Sequence, residues 1–555
     1  APVNGAITRC TVDGAYYGIW YAASTTYSIV TNAVWCGFVT GLSSHAAEYC
    51  ITDLEDGFCP VAGTGSVVED PLYCDAANGE YTLRVDSYGN PENHPGGNLI
   101  GAYPVACIYG TLTRTCTYSG DGYGHLGTLA MIGDVTVASG DTLSLSTARV
   151  LVQKASPTLI FEVDGRLDIH GRAVTFESAE ESPADGDWNA LYLADGSVGL
   201  LDSVTVRHAT YGIYTDSPDT MELTNGVLRD NEITDITPYG FDGDHYGLVE
   251  NMTITVGGGT GILFTGDASG LTLIGNTLYG SSVSTRGIQI LGTSPTVEGN
   301  GLYGFTGGEG IYMDLCTVTL TGNDVEGSVY GMRANRGTIS IGTTDSDSDN
   351  ILFGNSQGIR CEHCDPVIRN NQIYYNGVGV WVGGYALPDL GNQSEDGNNS
   401  IFSNGYYCVQ NLNQSTVPAN GNWWGSCSAP TCTYGSVETS GWLCSQPAGM
   451  EAAISRMETR ATGLRILPAH PNPTRAGSFI AFDLEGGGGT VSVHVYDLAG
   501  RLVRSFEPGD LSRGRHEVLW DGRDGAGRQV GNGIYFVRVA TSHGPRGTGK
   551  VLVVR

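Results

Sequence analysis

The sequence predicts an all-β chain: a solenoid of stacked parallel coils followed by a small antiparallel sandwich. Three observations carry that expectation. Gly is the commonest residue at 82 of 555 and charged residues make up only 15%, while Val, Ile, Thr and Tyr recur in brief runs, the profile of many short strands and tight turns. From Tyr211 onward a Gly followed by an apolar residue returns at Gly212, Gly240, Gly261, Gly287, Gly310, Gly331, Gly358 and Gly379, at intervals of 21 to 28 residues. Asn keeps step with it at Asn231, Asn251, Asn276, Asn300, Asn323, Asn350, Asn371, Asn399 and Asn422, at intervals of 20 to 28.

Each element of the repeat has a physical reason. The Asn amide tolerates a left-handed turn and can hydrogen-bond to the same amide in the next coil, so stacked turns favour it. Counting from each Gly, the first and third positions are mostly apolar: Ile262 and Phe264, Ile288 and Ile290, Ile311 and Met313, Val380 and Val382. Period-two alternation turns them inward. One coil buries too little to stand alone, so stability comes from stacking, and 108–446 would form a rod roughly 65 Å long at a strand spacing of about 4.8 Å.

The segments LIGNTLYG (273–280), TGNDVEG (321–327) and RNNQIYYN (369–376) resemble the right-handed parallel β-helix of the pectate-lyase-like superfamily. The resemblance implies architecture and leaves the chemistry open. NWWG (422–425) through GWLC (441–444) resembles the segment that closes such rods, and 447–463 reads as a linker. Gly18 and Asn32 repeat the two markers near the start, ahead of DPLYCDAANGEYTL (70–83) and IGAYPVAC (100–107), so 1–107 is expected to hold the terminal coils and cap of an upstream β-helix. An uncovered first coil would expose a strand edge, from which end-to-end self-association is expected.

Residues 464–555 change character: they hold no Cys and alternate apolar with polar residues in VSVHVYDLAGRLVRSF (491–506) and GIYFVRV (533–539), as an antiparallel sandwich does. PNPTRAGSFIAFDL (471–484), VYDLAGRLVR (495–504), HEVLWDGRDGAGRQVGNGIYFVRV (516–539) and KVLVVR (550–555) resemble the C-terminal sorting domains of type IX secretion and the related FlgD-type immunoglobulin-like fold. That resemblance implies the type IX secretion machinery as a partner and an extracellular or outer-surface location in a Gram-negative-type bacterium.

Charge and cysteine content narrow the function. Residues 447–555 hold 14 Lys and Arg against 10 Asp and Glu, which leaves 14 against 48, a net −34, for 1–446. Such a body repels nucleic acid and anionic lipid and lacks the basic stripe either needs. No apolar run is long enough to span a membrane, and the start at Ala1 without a signal peptide reads as a processed chain. Fourteen Cys, seven in 10–116 and seven in 316–444, suit an oxidising compartment, with connectivity undetermined by spacing.

The second position after each Gly faces outward and reads Gln289, Tyr312, Arg333, Arg360 and Trp381 along neighbouring coils. A row of rings and guanidinium groups can stack on and hydrogen-bond sugars, so these five are the expected ligand-binding residues and polysaccharide the expected ligand. The fourth position adds Asp314, Asn335 and Glu362. Two coils apart, the carboxylates of Asp314 and Glu362 would lie roughly 10 Å from each other, near the upper limit for an inverting glycosidase. Polygalacturonase-type Asp pairs and the carboxylate cluster with Lys or Arg base of pectate lyases are both missing, and an ordinary polar outer face explains the stripe as well.

Other motifs carry less. Gly354–Gly358 spells G-x-S-x-G between two coils, without the strand, strained turn and helix that expose a nucleophile. Gly544–Lys550 nearly spells a P-loop, but Val551 stands where Ser or Thr must bind magnesium. Asp345, Asp347 and Asp349 alternate as oxygen ligands for calcium would, with a solvated turn as the competing reading; no cofactor is required. Cys361, His363 and Cys364 hint at zinc, but lack a second ligand pair, so disulfides or buried thiols are expected there. The resulting expectation is a non-catalytic surface protein serving adhesion, glycan contact or extracellular structure, with a polysaccharide lyase or glycoside hydrolase as the rival.

Overall fold

The apolar pairs flanking each repeat glycine set the architecture. Ile262 and Phe264, Ile288 and Ile290, Ile311 and Met313, and Val380 and Val382 are all fully buried, so every coil turns the same two positions into one continuous core. The computed structural model describes 104–447 apart from short stretches at 113, 120–124, 147, 156–157, 170–172, 240–244, 281–282 and 345–348, together with parts of 3–100 and most of 464–554. It divides into two compact units, Ala1–Pro447 and Ala448–Arg555. Beyond Pro447, the linker expected at 447–463 lies outside the described residues.

In the first unit a coil consists of three short strands. An entry strand such as Thr277–Tyr279 leads into a glycine strand, Arg286–Leu291, and then a closing strand, Thr296–Glu298. Entry and glycine strands join in one 27-stranded sheet, and closing strands form a separate sheet of 11. Successive coils pair in parallel and in register, as in Gln289 with Tyr312 and Leu302 with Val325. The fold is thus an all-β parallel solenoid, as the repeat predicts. Parallel coils also occur upstream: Val3–Thr8 pairs with Ala22–Thr26, and Tyr17–Trp20, which holds Gly18, pairs with Trp35–Val39. Asn32 lies outside the described residues.

The repeat glycines are required by close approach. A Cβ at Gly287 would stand 2.8 Å from the Gly310 carbonyl oxygen, and one at Gly310 would stand 2.6 Å from that of Gly331. One marker is corrected. Gly240 lies outside the described residues, and the register places Asp235 opposite both Gly212 and Gly261. In that coil a buried carboxyl replaces glycine.

The asparagine ladder forms as expected from Asn276 onward. Asn276 donates to Asn300, Asn300 to Asn323, Asn323 to Asn350, Asn350 to Asn371, Asn371 to Asn399 and Asn399 to Asn422, all through Nδ2 to Oδ1 at 2.9–3.1 Å. Two details differ. The left-handed residue is the one before the ladder asparagine: Gly275, Gly299, Gly322, Asn370, Asn398 and Gly421. Asn251 falls at that preceding position, exposed at φ +54°, so Met252 takes the ladder slot and its N–H donates to Asn276. Asn231 belongs to a different corner, equivalent to that of Asn355, Asn376 and Asn404, where a second ladder runs from Asn355 to Asn376 to Asn404.

Among the described residues, three disulfides join Cys74 to Cys107, Cys408 to Cys432 and Cys427 to Cys444. The latter two hold the segment after Trp423, whose residue pairs with Ser400. Among its described residues the second unit holds a three-stranded and a four-stranded sheet, both antiparallel. They enclose Ile480, Phe482, Val491, Val493, Trp520 and Val537. Trp520 meets Tyr535 edge-on at 5.1 Å and satisfies its indole N–H at the Arg523 carbonyl.

Candidate ligand-binding face

The register brings all five expected ligand residues into one column. Gln289 pairs with Tyr312, Tyr312 with Arg333, Arg333 with Arg360 and Arg360 with Trp381, one per coil. A second column, set by the residue just before each glycine, stands beside it and was not read from the sequence: Arg286, Glu309, Tyr330 and Gln357. The signal was present, since that position alternates charge and ring with the neighbouring column, but only the register reveals the diagonal pairing.

Together the columns form an alternating ionic chain. Arg286 donates to Glu309 at 2.6 Å, Arg333 donates to Glu309 and to Glu362 at 2.8 Å, and Arg360 donates to Glu362 at 2.7 Å. The rings fill the spaces between the guanidinium groups. Tyr312 lies between Arg286 at 4.5 Å and Arg333 at 5.3 Å, Tyr330 between Arg333 at 5.9 Å and Arg360 at 4.9 Å, and Arg360 covers Trp381 at 3.8 Å. Cations over ring faces are attracted by the ring quadrupole, and desolvation strengthens the contact. Each of Tyr312 and Tyr330 is therefore already engaged by two arginines of the protein itself.

Asp314 and Glu362 do lie two coils apart, through Asn335, but neither is an isolated acid. Arg336 grips Asp314 with two bonds of 2.8 and 2.6 Å, Asn335 donates to it at 3.1 Å, and the Tyr312 hydroxyl donates at 3.3 Å. The bidentate Arg336 contact holds the Asp314 carboxyl below the usual carboxylate range. Burial opposes ionisation of Glu362, yet Arg360 and Arg333 outweigh it and its carboxyl is also depressed.

The remaining motifs are placed as follows. Asp345 and Asp347 lie outside the described residues, and Asp349 accepts a bond from the Gln372 side chain at 2.5 Å. Among the described residues no three Asp, Glu, His or Cys side chains gather in a way that would hold a metal ion. Cys361 and Cys364 are free, buried thiols, and burial pushes Cys364 up to about 12. No helix among the described residues is long and apolar enough to cross a membrane.

Comparison with known proteins fits this architecture. Residues 172–343 and 260–423 match the right-handed beta helix region, and 473–544 match the FlgD Ig-like domain. The fold and these matches define a right-handed β-helix protein with a C-terminal immunoglobulin-like domain. Over 54 residues the chain is 39% identical to the basal-body rod modification protein FlgD of Salmonella typhimurium, and equally to that of Salmonella typhi, covering 10% of this chain and 23% of theirs. Among solved structures it is similar to dimeric latent PorU from Porphyromonas gingivalis, at 28% identity over 16% of this chain and 9% of that one, with a TM-score of 0.15. It is likewise similar to PorZ, a surface component of the type IX secretion system of that organism, at 26% identity over 20% and 13%, with a TM-score of 0.13.

Proposed function

We propose that this protein is an exported, non-catalytic β-helix that contacts extracellular polysaccharide. The observation that carries the non-catalytic reading is the pairing of Asp314 and Glu362. Glycoside hydrolysis needs one carboxyl kept protonated as an acid, whereas both are held ionised by guanidinium groups. A lyase needs a free base, and Arg333 and Arg360 are each committed to carboxylates and rings. In this reading the chain of paired charges and arginine-engaged rings serves as a structural spine, and no cofactor is called for. The disulfides among the described residues support an oxidising, extracellular location, and the sorting-domain resemblance of 471–555 supports export through type IX machinery.

The test is a glycan array probed with the full chain, followed by incubation of each bound glycan with wild type and Glu362→Gln. Binding without new reducing ends or unsaturated products is expected. Cleavage that disappears in Glu362→Gln would establish the enzyme instead, and an array without any bound glycan would remove the polysaccharide from the proposal.

A further inference from the structure

One edge of the solenoid carries large side chains where the backbone favours glycine. At the turn between glycine and closing strands, two upstream coils place Gly266 at φ +73° and Gly292 at φ +66°. Later coils place Leu315 at φ +55°, His363 at φ +55° and Tyr385 at φ +66°. In this left-handed region a Cβ crowds the carbonyl oxygen, so Leu and Tyr are disfavoured there.

These residues line up. Met313 pairs with Ala334 and Ala334 with Cys361, which puts Leu315, Arg336 and His363 in one slot of three successive coils. Glu362 pairs with Gly383, so His363 faces Gly384, itself left-handed at φ +58°, and Tyr385 stands one residue beyond that slot. Leu412 lies opposite Gly383, one residue before the slot and outside the left-handed region, so it flanks the line. Leu315 and Tyr385 gain little burial from their left-handed positions, at 59% and 93% exposed, and Leu412 beside them is 53% exposed. The turn behind Tyr385 is braced, with its N–H donating to Asn413 Oδ1 at 3.2 Å and Asn413 Nδ2 donating to the Ala386 carbonyl at 2.8 Å. Strain without packing at Leu315 and Tyr385, on one edge of the coils, points to a role outside the fold.

Resting on the polysaccharide reading above, we infer that the edge Leu315–Arg336–His363–Tyr385–Leu412 is a binding ridge for an extended, neutral glycan. Leu and an open Tyr ring present the apolar surface that the C–H face of a sugar packs on, while His363, 3.2 Å from Asn335, offers polar groups for hydroxyls. Coils repeat every 4.8 Å or about that, close to the length of one pyranose, so sugars and side chains can keep step. Charge selects the class. Arg336 is neutralised by Asp314, and the acidic body of 1–446 repels an anionic polymer.

The test compares the full chain with the Leu315→Gly, Tyr385→Gly double variant, using cellohexaose and mannohexaose as neutral probes and hexagalacturonate as the anionic one. Wild type is expected to bind a neutral hexamer in preference to hexagalacturonate. The double variant is expected to lose at least about tenfold in affinity while its Tm holds or rises, because glycine relieves the strain. A fall in Tm would make these side chains structural and overturn the inference, as would unchanged affinity or a preference for hexagalacturonate. Affinity lost in Trp381→Ala but kept in the double variant would move the ligand to the strand face, overturning the ridge and leaving polysaccharide contact intact. A chain that binds on the array but to neither neutral hexamer also overturns the ridge alone; an empty array overturns both.

Discussion

Asp235 sits where the coils on either side have glycine, fully enclosed, with Asn231 Nδ2 donating to its carboxyl at 2.8 Å. Burial, with Asp230 and Asp185 nearby, raises its pKa to about 8, against the effect of the Asn231 bond. The folded chain therefore keeps a proton that the unfolded chain releases near pH 4, and this stabilising contribution is lost as pH rises towards 8. Asp235→Asn keeps the shape and the acceptor while removing the titration. The variant is expected to be more stable than the parent by a few kcal/mol above pH 8, with the gap narrowing as pH falls to 5, in denaturant unfolding at pH 5, 7 and 9. A gap independent of pH would show that the parent carboxyl does not titrate in this range. At the same scale, Leu315 and Tyr385 each carry about 1–2 kcal/mol of left-handed strain.

The ladders show what a repeated corner contributes. Asn323 Nδ2 donates to Val297, Thr321 and Asn350, and its Oδ1 accepts from the backbone and side-chain nitrogens of Asn300. Asn323→Ala orphans several of these buried groups at about 1–3 kcal/mol each, so a loss of at least about 3 kcal/mol is expected. Asn251→Gly, at an exposed left-handed position one residue before the ladder slot, should change stability by less than about 0.5 kcal/mol. Thermal unfolding of the two variants checks the contrast. This difference also marks how far the sequence could be read. Period alone found the coils, the inward pairs and the outward column through Trp381, because every coil faces the same constraint of stacking. It could not tell Asn251 from Asn276, or Asn231 from its neighbours, because two corners of one coil both recruit asparagine and a period does not resolve phase. The partners Arg286, Glu309 and Tyr330 stayed hidden for a related reason: apart from Arg286 and Glu309, which face each other, their contacts run between columns, at separations that vary with turn length. Asp235 was illegible because nothing in composition signals a carboxyl in a glycine slot.

In the first unit, the ordered middle and its final segment are held by different means. Residues 260–400 combine core, ladder and glycine packing, whereas no residue of 425–447 is buried, and two disulfides tie this stretch to itself and to Cys408. Solenoid stability is mostly between neighbouring coils, so loss of the ties should act locally. Under a mild reductant, limited proteolysis is expected to cut first within 425–447 and leave a large resistant fragment, identified by mass spectrometry; first cuts within 260–400 would contradict this. The glycine column has a wider consequence. Because each glycine meets the next coil through the same carbonyl contact, equivalent slots are interchangeable joints. Excision of 288–310 would splice Gly287 to Ile311 and set Asn276 against Asn323, replacing every lost interface with one of the same kind. Length is therefore a quantity this architecture can gain or lose in whole units, leaving the rule of assembly untouched.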